Sequence, residues 1–353
     1  MKPIYSLLLL SLFLLTACRT EGTAPVPIVQ SIQGETMGTY YKVSYLGEEV
    51  IHLKTSVDSL LVALNMEVST YIPEAMISRF NHGDLPAIEA ETLQAAPHFL
   101  ANLKLSLKIA EATEGSFNPT IMPLVNYWGF GYTEKRPVTA VDSMKVDSLM
   151  AFVGLDKIDY DSVIYSPSAI QLDKTAAGTQ LDFSAIAKGY GVDLVASYLR
   201  RRGINNYFVD IGGEVVASGN KGSADQPWRV GIAVPKEEAS PTDMQIAIPL
   251  VDRAVATSGN YRNYYEVNGK KFSHTINPFT GYPERSNLLS ASIMADDCAT
   301  ADGFATACMV LGLEAAYALV EEQAGLEGYF IYSDEEGQLQ SKATKGFAVL
   351  LSE

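Results

Sequence analysis

Two stretches of this 353-residue chain limit its folding more than any others. In "NNYFVDIGGEVVASGN", Asn205 to Asn220, two strand-forming runs flank Gly212-Gly213. In "YRNYYEVNGKKFSHTI", Tyr261 to Ile276, two more flank Asn268-Gly269, a pair suited to a type I′ turn. Each stretch predicts strand, tight turn, strand, and therefore antiparallel pairing. A parallel sheet would need a crossover of a dozen or more residues at each step. "TYYKVSYLG", "WRVGIAV", "GYFIYSD" and "KGFAVLL" predict further strands. Helical spacing marks "LKTSVDSLLVALNMEVS" and "ETLQAAPHFLANLKLSLKIAEATEG"; Gly115 stops the second, and Pro97 is placed to kink or split it. "ATADGFATACMVLGLEAAYALVEEQAG" predicts one long buried helix. Helices and hairpins in this order predict an α+β class.

The N-terminus follows a different pattern. Lys2 precedes an apolar run, Ile4 to Leu15, and "LTAC" ends at Cys18. The run is too short to be a permanent membrane span. It has the charged start, apolar middle and small-residue exit of a secretory signal. A cysteine directly after Leu-Thr-Ala resembles a bacterial lipoprotein signal, cleaved before Cys18, with lipid such as palmitate attached there. An ordinary signal with an incidental cysteine is the other reading. The expected organisation is a signal over 1–17, a lipidated Cys18 and flexible tether over 18–30, and one folded domain over 31–353. The expected location is a bacterial cell-envelope membrane, on its periplasmic or surface face. Cys298 and Cys308 lie ten residues apart in one predicted helix, about 15 Å along its axis, too far for a disulfide. The formal charge is −15, which argues against a nucleic-acid partner and leaves any anionic ligand dependent on local positive charge, dipoles or a metal.

Four stretches carry residue types suited to chemistry. In "LDFSAIAKGYGVDL", Asp182 ends a strand, Ser184 is placed as an N-cap, and Lys188 stands near the positive end of a helix, where an acidic residue is favoured. Lys188 either points to solvent or faces a phosphate docked on the helix amides. In "CATADGFATA", Asp302 and Thr306 are spaced i,i+4 and share a helix face. They are hard-oxygen donors suited to Mg²⁺, or else a dipole-complementing Asp and a self-bonded Thr. In "SHTINPFTG", His274 ends the hairpin before a turn, as a general base or as a structural histidine. "EGSFNPTIMPLVNYWGFG" is either a packed loop with Trp128 and Phe130 in the core or a wall for a flat ligand. "GETMGTYYKV" puts Met37-Gly38 at a strand start and is uninformative alone.

Together, "MGTYY", "STYIPEAMISRFN", "GSFNPTIMPLVNYWGFG", "LDFSAIAKGYGVD", "NYFVDIGGEVVASG", "WRVGI", "AVATSGNYR", "HTINPFTG" and "CATADGFATA" resemble the ApbE family, the FAD:protein FMN transferases, from about Ser31 onward. The resemblance implies a two-lobed, T-fold-like domain with FAD between the lobes. It implies Mg²⁺-dependent cleavage of the FAD pyrophosphate, release of AMP, and a phosphoester from FMN to Thr or Ser of a target protein, such as a redox or electron-transfer subunit. By resemblance, Asp302, Thr306 and the Ala185 carbonyl hold Mg²⁺. Met37, Tyr71, Ser116, Phe117, Asn118, Asp182, Lys188 and Ile276 contact FAD, and His274 is the base. Asn118 stands where the family usually has Asp, and Ser184-Ala185 replaces the commoner Gly-Gly. Two alternatives share the site: an Mg²⁺-dependent FAD pyrophosphatase, and a non-catalytic FAD-binding lipoprotein.

Overall fold

The computed structural model describes residues 28–85, 87–133, 141–160, 171–222, 226–235, 244–260, 264–267 and 270–352. The lipoprotein signal, Cys18 and the Asn268-Gly269 turn lie outside them. In chain order the strands are β1 Val29–Thr36, β2 Thr39–Leu46, β3 Ala87–Ile88, β4 Ile158–Asp159, β5 Leu172–Lys174, β6 Tyr207–Ile211, β7 Glu214–Ser218, β8 Trp228–Ala233, β9 Met244–Leu250, β10 Arg253–Gly259, β11 Tyr264–Val267, β12 Lys270–Ser273, β13 Leu288–Ala295, β14 Glu327–Ser333 and β15 Leu339–Ala343. The helices are α1 Leu53–Val68, α2 Met76–His82, α3 Ala90–Gln94, α4 Pro97–Ala112, α5 Met122–Tyr127, α6 Ser143–Met150, α7 Ala187–Arg201, α8 Cys298–Leu311, α9 Leu313–Glu322 and α10 Lys345–Leu350.

Eight strands form one sheet in the order β1-β2-β6-β7-β10-β13-β14-β15, and every neighbouring pair is antiparallel. The α+β expectation is therefore what the chain forms. The β6–β7 hairpin turns at Gly212 (φ 64°) and Gly213 (φ 104°), a geometry glycine adopts without strain. At the β1–β2 turn the same left-handed backbone is imposed on Met37 (φ 49°) before Gly38 (φ 71°). The Met37 methyl lies against Gly191 of α7, 3.4 Å from where a Cβ would stand.

Both faces of the sheet are covered. On one, α7 packs on α8, β6 and β7, and α8 crosses β10 and β13. α1 and α7 bury Leu53, Val57, Leu61, Val192, Val195 and Leu199 against Tyr41, Val43, Tyr207, Val209 and Ile211 of the sheet. On the other, the β8–β9 hairpin and α10 bury Trp228, Val230, Ile248 and Phe347 against Val215, Val255 and Ile331. This explains why all of β13 after Leu289 is apolar or small: both faces point into protein.

Two expectations change and a third resolves to one of its alternatives. "KGFAVLL" forms α10 instead of a closing strand, because the Glu327 carboxylate accepts the Phe347 amide at 3.1 Å and Phe347 fills the core. The long C-terminal helix is two helices, broken at Gly312 (φ 76°). The Pro97 segment splits into α3 and α4, with Pro97 in the first turn of α4, where its missing N–H costs nothing. Cys298 and Cys308 are both free and buried in α8. Among the described residues, no helix is long and apolar enough to cross a membrane.

Candidate active site

The approach to α7 is fixed before the helix begins. Asn81 of α2 brackets Leu181, donating to its carbonyl at 2.8 Å and accepting its amide at 2.7 Å. The Asp182 amide then reaches the Pro119 carbonyl at 2.8 Å, and Asp182 Oδ1 accepts the Ser184 amide at 2.8 Å. Burial pushes the Asp182 carboxyl above the usual aspartate range, against the effect of that hydrogen bond. Ser184 is consequently not the N-cap: a turn intervenes, and α7 starts at Ala187 with Ile186 in the cap position.

Lys188 is not directed to solvent. Its ammonium lies 2.6 Å from Glu214 Oε1 and 3.8 Å from Asp302 Oδ1. Burial alone would lower its pKa, but the Asp302 and Glu214 carboxylates outweigh that and hold it well above the usual lysine range. The residue that explains the lysine at this helix start is therefore Glu214, the first residue of β7, which sequence reasoning missed. Its only local signal is its place after Gly212-Gly213. Glu214 is buried, and its Oε2 has no hydrogen-bond partner among the described residues.

Asp302 and Thr306 sit one turn apart on α8, as their spacing requires. Asp302 Oδ2 accepts the Gly189 amide at 3.1 Å, so this α7 amide is not available to a phosphate. The Thr306 hydroxyl pairs with that of Ser258 on β10 at 3.2 Å. In a continued helix Gly189 would donate to Ala185. Because it donates to Asp302, no backbone amide among the described residues occupies the Ala185 carbonyl. A carboxylate, a hydroxyl and an unclaimed carbonyl make a hard-oxygen set that fits Mg²⁺ and does not fit zinc. Among the described residues no three His, Cys, Asp or Glu side chains cluster for a metal, so a cation here would rest on this mixed set.

The remaining candidates form a second wall. Ser116 and Phe117 are buried behind α4, held where the Phe117 amide meets Thr113 Oγ1 at 3.1 Å. The Asn118 carbonyl oxygen accepts both the Thr120 amide at 2.9 Å and the Thr120 hydroxyl at 2.7 Å. It thus closes a turn and leaves only its NH₂ group to face a ligand. Trp128 is fully buried and donates to the Gly281 carbonyl at 2.7 Å, which locks the "NPFTG" turn to this wall. Ile276 is buried and bridges to Pro283. His274 follows β12 directly and stands edge-to-face with Phe130, ring centroids 6.3 Å apart. Exposed Tyr71 reaches the Phe130 carbonyl at 3.5 Å, and desolvation together with the Asp182 charge raises its phenol pKa. Met37 meets the site's helix at Gly191. The contacts thus join Lys188, Asp302 and Thr306 with Glu214 and Ser258 in one cluster, and Asp182, Tyr71, Phe130 and His274 in a neighbouring chain.

The ApbE family model matches residues 37–330, which hold every one of these residues. The chain belongs to the ApbE family. Relatives of the ApbE type named FAD:protein FMN transferase include one from Vibrio cholerae, 36% identical over 318 residues and covering 89% of each chain. Another, from Haemophilus influenzae, is 34% identical over 342 residues, covering 95% of this chain and 94% of the relative. Among solved structures, the ApbE flavin transferase of Vibrio cholerae is similar with a TM-score of 0.77 at 32% identity, over 92% of this chain and all of that one. The apo form of the Pseudomonas stutzeri ApbE flavinyl transferase gives 0.77 at 31% identity, over 93% and 98%.

Proposed function

We propose that the protein is an FAD:protein FMN transferase that uses Mg²⁺ and acts on a partner protein from a lipid-anchored position outside the cytoplasm. The observation that carries the reading is the cluster at the α7–α8 crossing. The half-buried cation Lys188 and two carboxylates converge there, and no backbone amide among the described residues takes the Ala185 carbonyl nearby in sequence, in a protein of net charge −15. Asp302, Thr306 and the Ala185 carbonyl would hold the ion, which when bound neutralises charge on the pyrophosphate oxygens. Lys188, fixed by Glu214, offers a positive charge to the same phosphates. Tyr71 and the Asn118 amide would face the flat rings of FAD, with Phe117 packed in the core behind them.

In the transfer, the acceptor Thr or Ser oxygen forms a bond to the FMN phosphorus as the bond from that phosphorus to the bridging oxygen breaks. AMP leaves with the bridging oxygen and its electron pair. His274 takes the hydroxyl proton, and Phe130 against its ring restricts its orientation. A Thr hydroxyl is a poor nucleophile, so much of the rate must come from holding it in line.

The test is incubation of the chain with FAD, Mg²⁺ and a Thr-bearing acceptor domain, read by intact-mass spectrometry. FMN mass on the acceptor with stoichiometric AMP supports the reading. AMP without acceptor labelling replaces it with hydrolysis, and tight FAD binding without AMP replaces it with a carrier. Lipid on Cys18 is tested separately: the membrane-fraction chain should begin at an acylated Cys18, and an unmodified N-terminus there would exclude the anchor.

A further inference from the structure

α7 and α8 cross where Gly189 meets the first turn of α8. A Cβ on Gly189 would lie 2.4 Å from the Cys298 carbonyl oxygen and 2.7 Å from the Ala299 Cα. One turn further along the same face of α7 is Asp193. Its Oδ1 accepts the Cys298 amide and its Oδ2 the Ala299 amide, both at 2.9 Å. In the opposite direction, Asp302 of α8 accepts the Gly189 amide of α7 at 3.1 Å. Each helix therefore gives an aspartate to backbone amides in the first turn of the other.

The two halves of this clamp differ. Asp302 belongs to the cation and phosphate site, so a bound ion competes for its carboxylate. Among the described residues, the Asp193 oxygens accept hydrogen bonds only from the two α8 backbone amides, with the charges of Asp297 and Arg200 nearby. α8 also has a local cap, since Asp297 accepts the Thr300 amide at 2.8 Å and the Thr300 hydroxyl at 2.9 Å. The Asp193 bonds add a tie between helices where a local cap is already in place.

We propose that Asp193 is a positioning residue for the reaction: it fixes α8 against α7, so that Asp302 and Thr306 stay aligned with the Ala185 carbonyl when the Asp302 carboxylate turns to the cation. The inference rests on the proposed Mg²⁺-dependent reading of the site. Asp193 touches no substrate group. It acts through the helix, as an outer partner orienting a ligand does, and loss of such partners costs about 10–100-fold in metal affinity.

The experiment compares the full-length chain with Asp193→Asn, Asp193→Ala and Asp297→Ala. Mg²⁺ binding is measured by calorimetry with FAD present, Mg²⁺ dependence by AMP release, metal-free FAD affinity by flavin fluorescence, and folding by thermal unfolding. Asp193→Ala should raise the half-saturating Mg²⁺ concentration about tenfold or more. Its rate at saturating Mg²⁺ and its metal-free FAD affinity should stay within about twofold of wild type. Asp193→Asn keeps one acceptor oxygen in the same shape and should fall between the two. Asp297→Ala should lower the unfolding midpoint and leave the Mg²⁺ requirement unchanged.

If Asp193→Asn folds and binds Mg²⁺ as wild type does, the inference is wrong. The same holds if both Asp193 variants lose only active fraction with unchanged Mg²⁺ affinity, which is the signature of a purely structural residue. Should Asp193→Ala not fold, Asp193→Asn decides alone. A wild-type chain that binds no Mg²⁺ overturns this inference and the metal-dependent reading together. Wild-type turnover with unchanged variants overturns only the inference.

Discussion

Gly189→Ala is a substitution whose sign distinguishes two accounts of the α7–α8 crossing. In an open helix, Gly→Ala stabilises by about 1 kcal/mol. Here the new methyl would meet the α8 backbone at 2.4 Å from the Cys298 oxygen, and 3.4 Å is needed for ordinary contact. The helices must part by about 1 Å, and backbone cannot rotate away as a flexible side chain can. Overpacking of this kind costs about 1–3 kcal/mol. The same movement would stretch the Asp193 bonds from 2.9 Å and the Asp302 bond from 3.1 Å beyond hydrogen-bond range. Such a hydrogen bond contributes about 0.5–1.5 kcal/mol when the carboxyl is neutral and about 1.5–3 kcal/mol when it is charged. Even if only one is lost, the unfavourable terms exceed the propensity gain, and a net loss of about 2–4 kcal/mol is expected. Urea unfolding followed by circular dichroism reads the stability, and Mg²⁺-dependent AMP release reads the site. A Gly189→Ala chain as stable as wild type, with wild-type Mg²⁺ dependence, would falsify the claim that close helix approach aligns the site.

Lys188→Met should destabilise by about 3–5 kcal/mol, because it leaves Glu214 buried without its cation; adding Glu214→Gln should recover much of the loss, and a double variant no more stable than Lys188→Met would count against the pair. The Asp193 carboxyl is pushed up to about 7 by burial, against the Cys298 and Ala299 amides, with Asp297 adding to the rise and Arg200 opposing it. Protonated Asp193 is thus favoured in the folded chain, so its contribution to stability is complete below the ordinary value of 3.8 and declines as pH rises to about 7. The upper limit is about 4 kcal/mol at about 1.4 kcal/mol per pH unit, lowered by the side chain's partial exposure. Stability of wild type relative to Asp193→Asn should therefore fall between pH 4 and pH 7, and a flat or rising difference would contradict the burial argument. His274→Ala should slow FMN transfer by about 10²–10⁴-fold with FAD affinity little changed; equal losses in both would make His274 a binding residue.

Local chemistry made much of this protein legible in sequence. Paired glycines between strand-forming runs dictate the β6–β7 hairpin, since the left-handed backbone at Gly212 and Gly213 is settled within two residues. Spacing of four on a helix puts Asp302 and Thr306 on one face whatever surrounds them. Where tertiary packing overrode local pattern, the sequence misled. The apolar run at Phe347 became a helix because Glu327, on another strand, accepts its amide. Ser184 lost the cap position to the turn closed by Asp182.

The partners that make the site were not legible, because they lie far apart along the chain. Asp193 meets Cys298 across 105 residues, and Ser258 meets Thr306 across 48. Glu214 reaches Lys188 only because β7 lies beside α7 in the folded sheet. Periodicity and turn chemistry report interactions within about one turn or one hairpin. A lysine at the positive end of a helix signals by itself only that some negative group must be near. Which group, and that it is a buried carboxylate in place before any phosphate arrives, was decided by strand order and helix crossing.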